Sequence, residues 1–207
     1  RYLIGALTAR GPRLALTGYL GHQWELYAMW AWIGSFMLYV VGDRSLIGDG
    51  LDLASGLTFL VFAVGAVASS LAGMWSEKIG RTAVASIAMV ISGTVAAFIG
   101  FVPHELTVLI VILAIIWGAS VIADSAQFST AMTELSDPVY RGTMLTFQTG
   151  IGFALTAVSI WLLPIVRDSS GWGWAFAMLA LGPIVGTAAM MRLRSLPEAK
   201  NLAGGKR

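Results

Sequence analysis

The stretch Gly18-Tyr-Leu-Gly-His22-Gln-Trp-Glu25-Leu-Tyr-Ala-Met-Trp-Ala-Trp32 places an imidazole and a carboxylate inside a long apolar run. His22, Glu25 and Trp32 are spaced so that an α-helix carries them on one face. An ionisable group at the centre of a membrane-spanning helix costs roughly 2.5–3.5 kcal/mol on insertion scales, so such residues tend to be functional. The stretch therefore predicts a membrane-spanning first helix whose polar face is the first candidate for function.

The composition indicates a polytopic membrane protein. Of the 207 residues, 57% are hydrophobic and 12% are charged, and the mean hydropathy is +0.78. A soluble domain of this size cannot bury so much apolar surface. The net charge of +2 is too small to indicate nucleic-acid binding, and the lack of cysteine excludes disulfides and thiolate metal sites.

Six apolar segments of spanning length are predicted, at residues 14–41, 53–75, 82–101, 106–133 and 143–166, with a sixth that ends near Met191. An Asp-rich loop at residues 42–52 follows the first of them. We predict that residues 1–13 are the remnant of a cytoplasmic linker, residues 14–191 a six-helix transmembrane bundle, and residues 192–207 a cytoplasmic tail. Because the chain does not begin with Met, we expect it to belong to a longer reading frame.

The distribution of basic residues predicts the orientation. Arg44 and Arg167 lie in loops on one side of the predicted bundle. The other eleven of the thirteen Lys and Arg residues lie on the opposite side: Arg1, Arg10, Arg13, Lys78, Arg81, Arg141, Arg192, Arg194, Lys200, Lys206 and Arg207. Lys and Arg near helix ends stay cytoplasmic. Both termini are therefore predicted to face the cytoplasm, with the bundle in the lipid bilayer of the cell inner (plasma) membrane.

The predicted helices differ in polarity. The first and fourth carry His22, Glu25, Ser120, Asp124 and Gln127, which favours a watered interior. The third and sixth carry almost nothing polar and are predicted to face lipid, while the second and fifth are intermediate. Helices 1 and 4 are thus predicted to line a cavity. The pattern repeats after three helices, as in an inverted three-plus-three repeat.

Three motifs resemble those of the major facilitator superfamily. Gly73-Met-Trp-Ser-Glu77-Lys78-Ile-Gly80-Arg81-Thr82 resembles the Gly-x-x-x-Asp-Arg-x-Gly-Arg-Arg signature that follows the second helix of each six-helix half. Glu134-Leu-Ser-Asp-Pro-Val-Tyr-Arg141-Gly-Thr is similar to the turn between the tenth and eleventh helices, with the proline shifted by one place. Gly171-Trp-Gly-Trp174-Ala-Phe is similar to the start of the last helix. Their order fits the C-terminal half of such a transporter. Glu77 replaces the usual Asp, and Thr82 replaces a second basic residue.

The resemblance implies half of a major facilitator fold that works by alternating access. Another six-helix half, from the same longer chain or from a second subunit, would complete it, and the substrate would be a small molecule. By the same resemblance a cytoplasmic gate is formed by Gly73, Glu77, Lys78, Gly80, Arg81, Glu134 and Arg141. Glu77 would meet the N-terminus of a helix in the other half, where the helix dipole favours negative charge. The alternative is a basic loop that only fixes topology.

The polar residues inside the spans are the candidate transport site. Glu25 is predicted to load and release protons, with His22 as its hydrogen-bond partner or relay. Asp124, Gln127 and Gln148 are candidates for substrate or gate contacts, and Trp32 for an aromatic clamp on the solute. The alternatives are a structurally paired acid, a packed histidine, a carboxylate that is hydrated in the inner vestibule or paired with a missing partner helix, and aromatic side chains that pack or anchor the helix at the membrane interface.

No cofactor, metal or enzyme site is predicted. The sequence has no Gly-rich phosphate loop with Lys and Ser/Thr, and no trio of nucleophile, base and orienting group. A metal site would rest on His22, Glu25 and Asp124 alone. The function predicted is proton-coupled movement of a small organic solute. Proton-antiport efflux of drugs or metabolites is one alternative, and a six-helix membrane assembly subunit that transports nothing is another.

Overall fold

The chain is helical throughout the part that the computed structural model describes, residues 8–42 and 50–206. The α-helices there are α1 (Arg10–Val41), α2 (Gly50–Ile79), α3 (Arg81–Phe98), α4 (Thr107–Ala123), α5 (Ser125–Leu135), α6 (Arg141–Ala177) and α7 (Leu181–Arg194). Short 3-10 turns extend or join them at Ile99–Phe101, His104–Leu106, Pro138–Tyr140, Met178–Ala180, Pro197–Asn201 and Ala203–Gly205. The prediction of an all-α fold is confirmed for these residues.

Some predicted features lie outside the described residues. These are residues 1–7 of the predicted linker, most of the predicted loop at 42–52, and with them Arg1, Arg44 and Arg207. The helix α1 begins at Arg10, four residues before the predicted start. Pro12 lies in its first turn, where the missing N–H of proline removes no helical hydrogen bond.

The predicted count of six apolar spans is wrong. Four stretches of the described chain are long and apolar enough to cross a membrane: Asp52–Ile79, Arg81–Phe101, His104–Leu135 and Pro138–Arg194. The helix α1 has sufficient length at 32 residues, but Glu25 and its many Trp and Tyr rings lower its hydropathy. The predicted fifth and sixth spans fall in one stretch of 57 residues. Gly171 turns the chain within that stretch, with φ 82°, a backbone conformation that favours glycine. The inverted repeat stays a prediction.

The helix α1 is the centre of the bundle, packing against α2, α5, α6 and α7. Two apolar cores lie along it. The first joins its C-terminal half to α4 and α6 through residues such as Phe36, Trp117 and Phe176. The second joins its N-terminal end to α5 and α7 through residues such as Phe128 and Met190. His22 to Glu25 lie between the two cores, so the fold holds a polar layer at the middle of its central helix.

Glycines bring α1 and α7 into backbone contact. A Cβ added at Gly182 would lie 2.2 Å from the carbonyl oxygen of Gly21, and one at Gly21 would lie 2.4 Å from the carbonyl oxygen of Gly182. Gly186 also lies at this crossing, 3.0 Å from a Cβ on Gly21. Small residues spaced in this way let membrane helices approach closely. The position of the polar layer therefore depends on glycine at this crossing.

We expect Gly182→Val to lower the stability of the bundle. The new side chain would meet the α1 backbone, and overpacking of this kind costs about 1–3 kcal/mol. Thermal unfolding in detergent micelles measures the effect. The control is Gly150→Val in α6, because a Cβ there meets nothing within 4 Å. Equal midpoints for the two variants would contradict the packing described for α1 and α7.

Candidate functional site

The predicted fourth span is interrupted at its candidate site residue. The helix α4 ends at Ala123 and α5 begins at Ser125, with Asp124 between them at φ −88° and ψ −15°. These dihedral angles lie in the right-handed helical region, so the interruption is a local distortion of one residue within the stretch His104–Leu135. Asp124 lies at this distortion, where α4 meets α5.

Asp124 is paired with His22. Asp124 Oδ1 lies 2.8 Å from His22 Nδ1. Both residues are 1% exposed. The ring of Phe128 packs against the imidazole at a centroid distance of 5.3 Å. No described residue hydrogen-bonds to the second ring nitrogen of His22, Nε2. The pair thus joins α1 to the break between α4 and α5, whereas the sequence suggested Glu25 as the partner of His22.

Glu25 has two hydrogen-bond donors of its own. Its Oε1 accepts from Trp117 Nε1 at 2.7 Å, and its Oε2 accepts from Ser92 Oγ at 2.9 Å. Glu25 is 1% exposed, so these bonds replace hydration at both oxygens. Hydrogen bonds of this kind stabilise the ionised form of a carboxylate more strongly than its neutral form.

Ser92 and Trp117 are site residues that the sequence interpretation missed. Ser92 lies on α3, which was predicted to face lipid, and Trp117 lies on α4. Glu25, His22 and Asp124 consequently lie inside this bundle and not on an open cavity wall. The alternative of a carboxylate hydrated in a vestibule does not describe Asp124. A buried carboxylate requires donors, and this requirement is the signal that could have directed attention to Ser92 and Trp117.

Three buried glutamines have hydrogen-bonding atoms that no described residue satisfies. These atoms are both amide atoms of Gln127, Oε1 of Gln148 and Oε1 of Gln23. Gln148 donates from Nε2 to Ser129 Oγ at 3.4 Å, and Gln23 donates to the Tyr19 hydroxyl. An unsatisfied buried polar group costs about 1–3 kcal/mol, so water or a polar solute is favoured beside it. Gln23 is a further residue that the sequence interpretation missed.

Trp32 belongs to a separate cluster, which lies nearer the C-terminal end of α1 than Glu25 does. Its Nε1 donates to the carbonyl oxygen of Ile160 at 3.2 Å. The guanidinium carbon of Arg167 lies 5.1 Å from the Trp32 ring and 5.4 Å from the Trp172 ring. The cation on Trp32 is therefore a side chain of the chain itself. Although Trp32 shares a helix face with Glu25, it makes none of the contacts that hold the carboxylate.

The signature residues of the predicted gate meet around Arg81. Its Nε and Nη2 donate to the two carboxylate oxygens of Glu134, each at 3.0 Å. Nη2 also donates to Glu77 Oε1 at 2.6 Å, and Nη1 donates to Ser76 Oγ at 3.0 Å. Gly80, with φ 101°, turns the chain directly before Arg81. A forked pairing of this kind fixes the ends of α2 and α5 against α3.

The other predicted gate residues lie outside this network. Lys78 is exposed and forms no ion pair with the described residues. Arg141 donates from Nε to the carbonyl oxygen of Thr133 at 2.9 Å and not to Glu134. Gly73 has open space where a side chain would be. The structure therefore brings together Glu77, Gly80, Arg81 and Glu134.

The C-terminal residues fold back onto the same network. Ala199 and Leu202 are fully buried against α5 and α7 in the second apolar core. The backbone N–H of Ala203 donates to Glu134 Oε2 at 3.1 Å, and Lys206 Nζ donates to the carbonyl oxygen of Glu77 at 2.7 Å. The segment predicted as a polar tail is thus docked on the bundle end that holds Arg81.

We expect Leu202→Ala to release this segment. The substitution removes the buried anchor, and a loss of about 2–3 kcal/mol would raise the population of the open segment at least tenfold. The rate of tryptic cleavage after the exposed Lys200 measures that population. The control is Leu181→Ala, because Leu181 is 59% exposed on α7. An unchanged cleavage rate in Leu202→Ala would show that Leu202 does not hold the segment.

No group of three His, Asp or Glu side chains in the described ranges could hold a metal ion. The side chains of the site can exchange protons and form hydrogen bonds. The Glu25 carboxylate and the His22–Asp124 pair can each gain or lose a proton, and the glutamine amides can bind a polar group.

Comparison with known proteins supports the fold. No protein-family model matches the chain, and no curated protein matches it. The fold is similar to that of the xylose transporter XylE from E. coli. A partially occluded inward-open conformation of XylE matches with a TM-score of 0.73 and 19% identity, over 92% of this chain and 48% of that one. The fold of this chain therefore resembles that of a major facilitator transporter.

Two further structures of XylE agree. Its inward-open conformation matches with a TM-score of 0.73 and 19% identity, over 91% of this chain and 48% of that one. The proton:xylose symporter XylE bound to 6-bromo-6-deoxy-D-glucose matches with a TM-score of 0.71 and 19% identity, over 92% of this chain and 45% of that one. The chain therefore spans about half the length of these transporters. Its apolar helices and this fold together indicate a multi-pass membrane protein.

Proposed function

We propose that this chain is one half of a proton-coupled secondary transporter for a small organic solute. It would work by alternating access with another helical half, from the same longer polypeptide or from a second subunit. The observation that carries the proposal is the buried layer in which Glu25 lies close to a helix break held by the His22–Asp124 pair. The similarity to a transporter described as a proton:xylose symporter supports proton coupling.

In this proposal Glu25 is the proton carrier. The donors Trp117 and Ser92 stabilise the carboxylate when it is ionised, and protonation weakens both bonds. Because the two donors lie on α4 and α3, a change in the charge of Glu25 alters how these helices are held to α1. The break at Asp124 gives α4 and α5 a place to bend. Proton uptake and helix movement are thereby linked through a few side chains.

The solute is proposed to be uncharged. Arg167 in α6 is paired with Asp168 and packs on Trp32, and the other described Lys and Arg residues lie near helix ends. None of them contacts the layer that contains Glu25. The unsatisfied amides of Gln127 and Gln148 instead offer hydrogen bonds to a polar solute. They are proposed as solute contacts in a state in which the interior opens.

The chain is proposed to lie in the inner membrane with both termini on the cytoplasmic side, and the network around Arg81 is proposed as the gate on that side. Arg81 and Glu134 fix the position of Glu77, whose side chain is 61% exposed and available to a partner half. A carboxylate in that position is favoured at the N-terminus of a helix in the other half. Closing this contact would hold the cytoplasmic side shut.

Solute-dependent proton movement tests the proposed function. The intact protein is reconstituted in proteoliposomes that contain a pH-sensitive dye, and the membrane potential is clamped. D-xylose is the first probe, and a panel of uncharged organic solutes follows. We expect at least one solute to change the internal pH in protein-containing vesicles only. Solute entry with no proton movement would exclude proton coupling, and no solute movement at all would favour an assembly subunit.

A further inference from the structure

Four aromatic side chains form a continuous trough across three helices, on the side of α1 away from Glu25. We refer to Tyr27, Trp30, Phe62 and Phe153 as the aromatic trough. The ring centroids of Phe153 and Tyr27 are 5.2 Å apart, those of Tyr27 and Trp30 5.5 Å, and those of Trp30 and Phe62 5.6 Å. Neighbouring rings are inclined to one another by 53–68°.

The trough is open and contains space for a ligand. Trp30 is 36% exposed and Phe153 is 48% exposed. A cavity of about 250 Å³ lies at one end of it, lined by Trp30, Phe62, Ala66 and Ile122. Neither the Trp30 indole N–H nor the Tyr27 hydroxyl is hydrogen-bonded to a described residue. The rings therefore offer both π faces and polar edges to a bound molecule.

The trough and the cavity at its end share two helices, α1 and α4, with the buried layer that contains Glu25 and Asp124. Trp30 lies on α1 five residues after Glu25, and Ile122 lies on α4 two residues before the break at Asp124. A molecule seated in the cavity would contact both helices that carry the acidic residues. Its binding would depend on the arrangement of these helices.

The charges near the trough exclude an organic cation as the best occupant. Within the described ranges, the carboxylates in the middle of the helices are Glu25 and Asp124, and both are 1% exposed. Asp168 in α6 is paired with Arg167, and the other described acids lie near helix ends. A cation in the trough would therefore lack a counter-ion among the described residues. An uncharged ring gains the stacking interactions without that cost.

We propose that the aromatic trough binds an uncharged, planar aromatic or heteroaromatic ring, and that it thereby selects the class of solute. This inference rests on the proposed transport function, for which it names the solute class. Trp30 is the central contact, because it borders both Tyr27 and Phe62. Its indole N–H and the Tyr27 hydroxyl would hydrogen-bond a polar substituent on the ring.

A matched pair of probes tests the proposal. Benzamide and cyclohexanecarboxamide carry the same uncharged amide, but only benzamide has a planar ring. Binding to the intact protein in detergent micelles is measured by saturation-transfer difference NMR and by titration. We expect saturable binding of benzamide about tenfold tighter than that of cyclohexanecarboxamide, because only the planar ring stacks. Equal binding of the two amides would overturn the proposal.

Variants at Trp30 locate the site. We expect Trp30→Leu to weaken benzamide binding about tenfold, and Trp30→Phe to retain most of it because a ring remains. The control is Trp161→Leu, because Trp161 is 68% exposed on α6 and is not part of the trough. Circular dichroism checks that each variant is folded. Full binding in Trp30→Leu, or equal loss in Trp161→Leu, would overturn the proposal.

The result is separable from the proposed function. Should proton movement depend on Glu25 while benzamide binding is unaffected by Trp30→Leu, the trough proposal alone fails. Should benzamide bind at Trp30 while no solute moves protons, the trough stands as a binding site and proton-coupled transport fails.

Discussion

Glu25→Gln is expected to reduce proton-driven solute uptake to the level of protein-free liposomes while solute exchange at equal pH is partly retained. Gln keeps the shape of the side chain, its carbonyl oxygen can accept from the Trp117 indole N–H, and its NH2 group can donate to Ser92 Oγ, but it cannot carry a proton. Loss of accumulation with retained exchange is the expected signature of a coupling residue. The measurement is uptake under an imposed pH gradient, followed by counterflow with the gradient removed.

The control for this variant is Glu105→Gln, which makes the same chemical change at an exposed residue in the turn His104–Leu106. We expect its proton-driven uptake to match that of the unmodified protein. Unchanged proton-driven uptake in Glu25→Gln would exclude Glu25 as the proton carrier. Equal loss of uptake and exchange would assign Glu25 to binding or folding instead.

Asp124→Leu is expected to destabilise the protein strongly because it leaves His22 buried without its partner. Removing one member of a buried ion pair typically costs about 3–5 kcal/mol, whereas replacing both members by apolar residues is often neutral. The double variant His22→Leu/Asp124→Leu should therefore recover most of the lost stability. It should not recover transport, since the polar link to the helix break is absent. Thermal unfolding and uptake are measured on all three proteins.

An exposed ion pair provides the comparison. Asp168 Oδ1 lies 2.7 Å from Arg167 Nη2, and its side chain is 67% exposed. Asp168→Leu should cost at most about 1 kcal/mol, because surface pairs contribute little. An unfolding midpoint for Asp124→Leu equal to that for Asp168→Leu would show that the buried pair does not support the structure.

The helical fold and the grouping of charged residues around Arg81 could be predicted from the sequence because their signals are local. Apolar runs of spanning length predicted helices, and a short motif predicted that Glu77 and Arg81 belong together. A second motif predicted that Glu134 belongs to the same group, and the structure pairs it with Arg81, which lies 53 positions earlier. The predicted number of apolar spans was wrong partly because of α1. This long helix belongs to the bundle because other helices surround it, although its hydropathy is low.

The partners of the candidate site residues could not be predicted, since they depend on how helices rotate against one another. Helical spacing placed His22 beside Glu25, yet packing directs His22 to Asp124 and Glu25 to Trp117 and Ser92. Spacing likewise placed Trp32 with this group, whereas it contacts Arg167. The sequence alone shows which residues share a helix face, but only the tertiary structure shows which residues of other helices that face contacts.

The protonation of Glu25 in the membrane tests the proposed coupling most directly. Infrared difference spectra of the reconstituted protein, recorded as the pH is changed, report the carboxyl C=O stretch of protonated acids. We predict a band that appears and disappears with pH, that is absent in Glu25→Gln and that persists in Glu105→Gln. An identical band in Glu25→Gln, or no titrating carboxyl band in the unmodified protein, would contradict a proton-carrying Glu25.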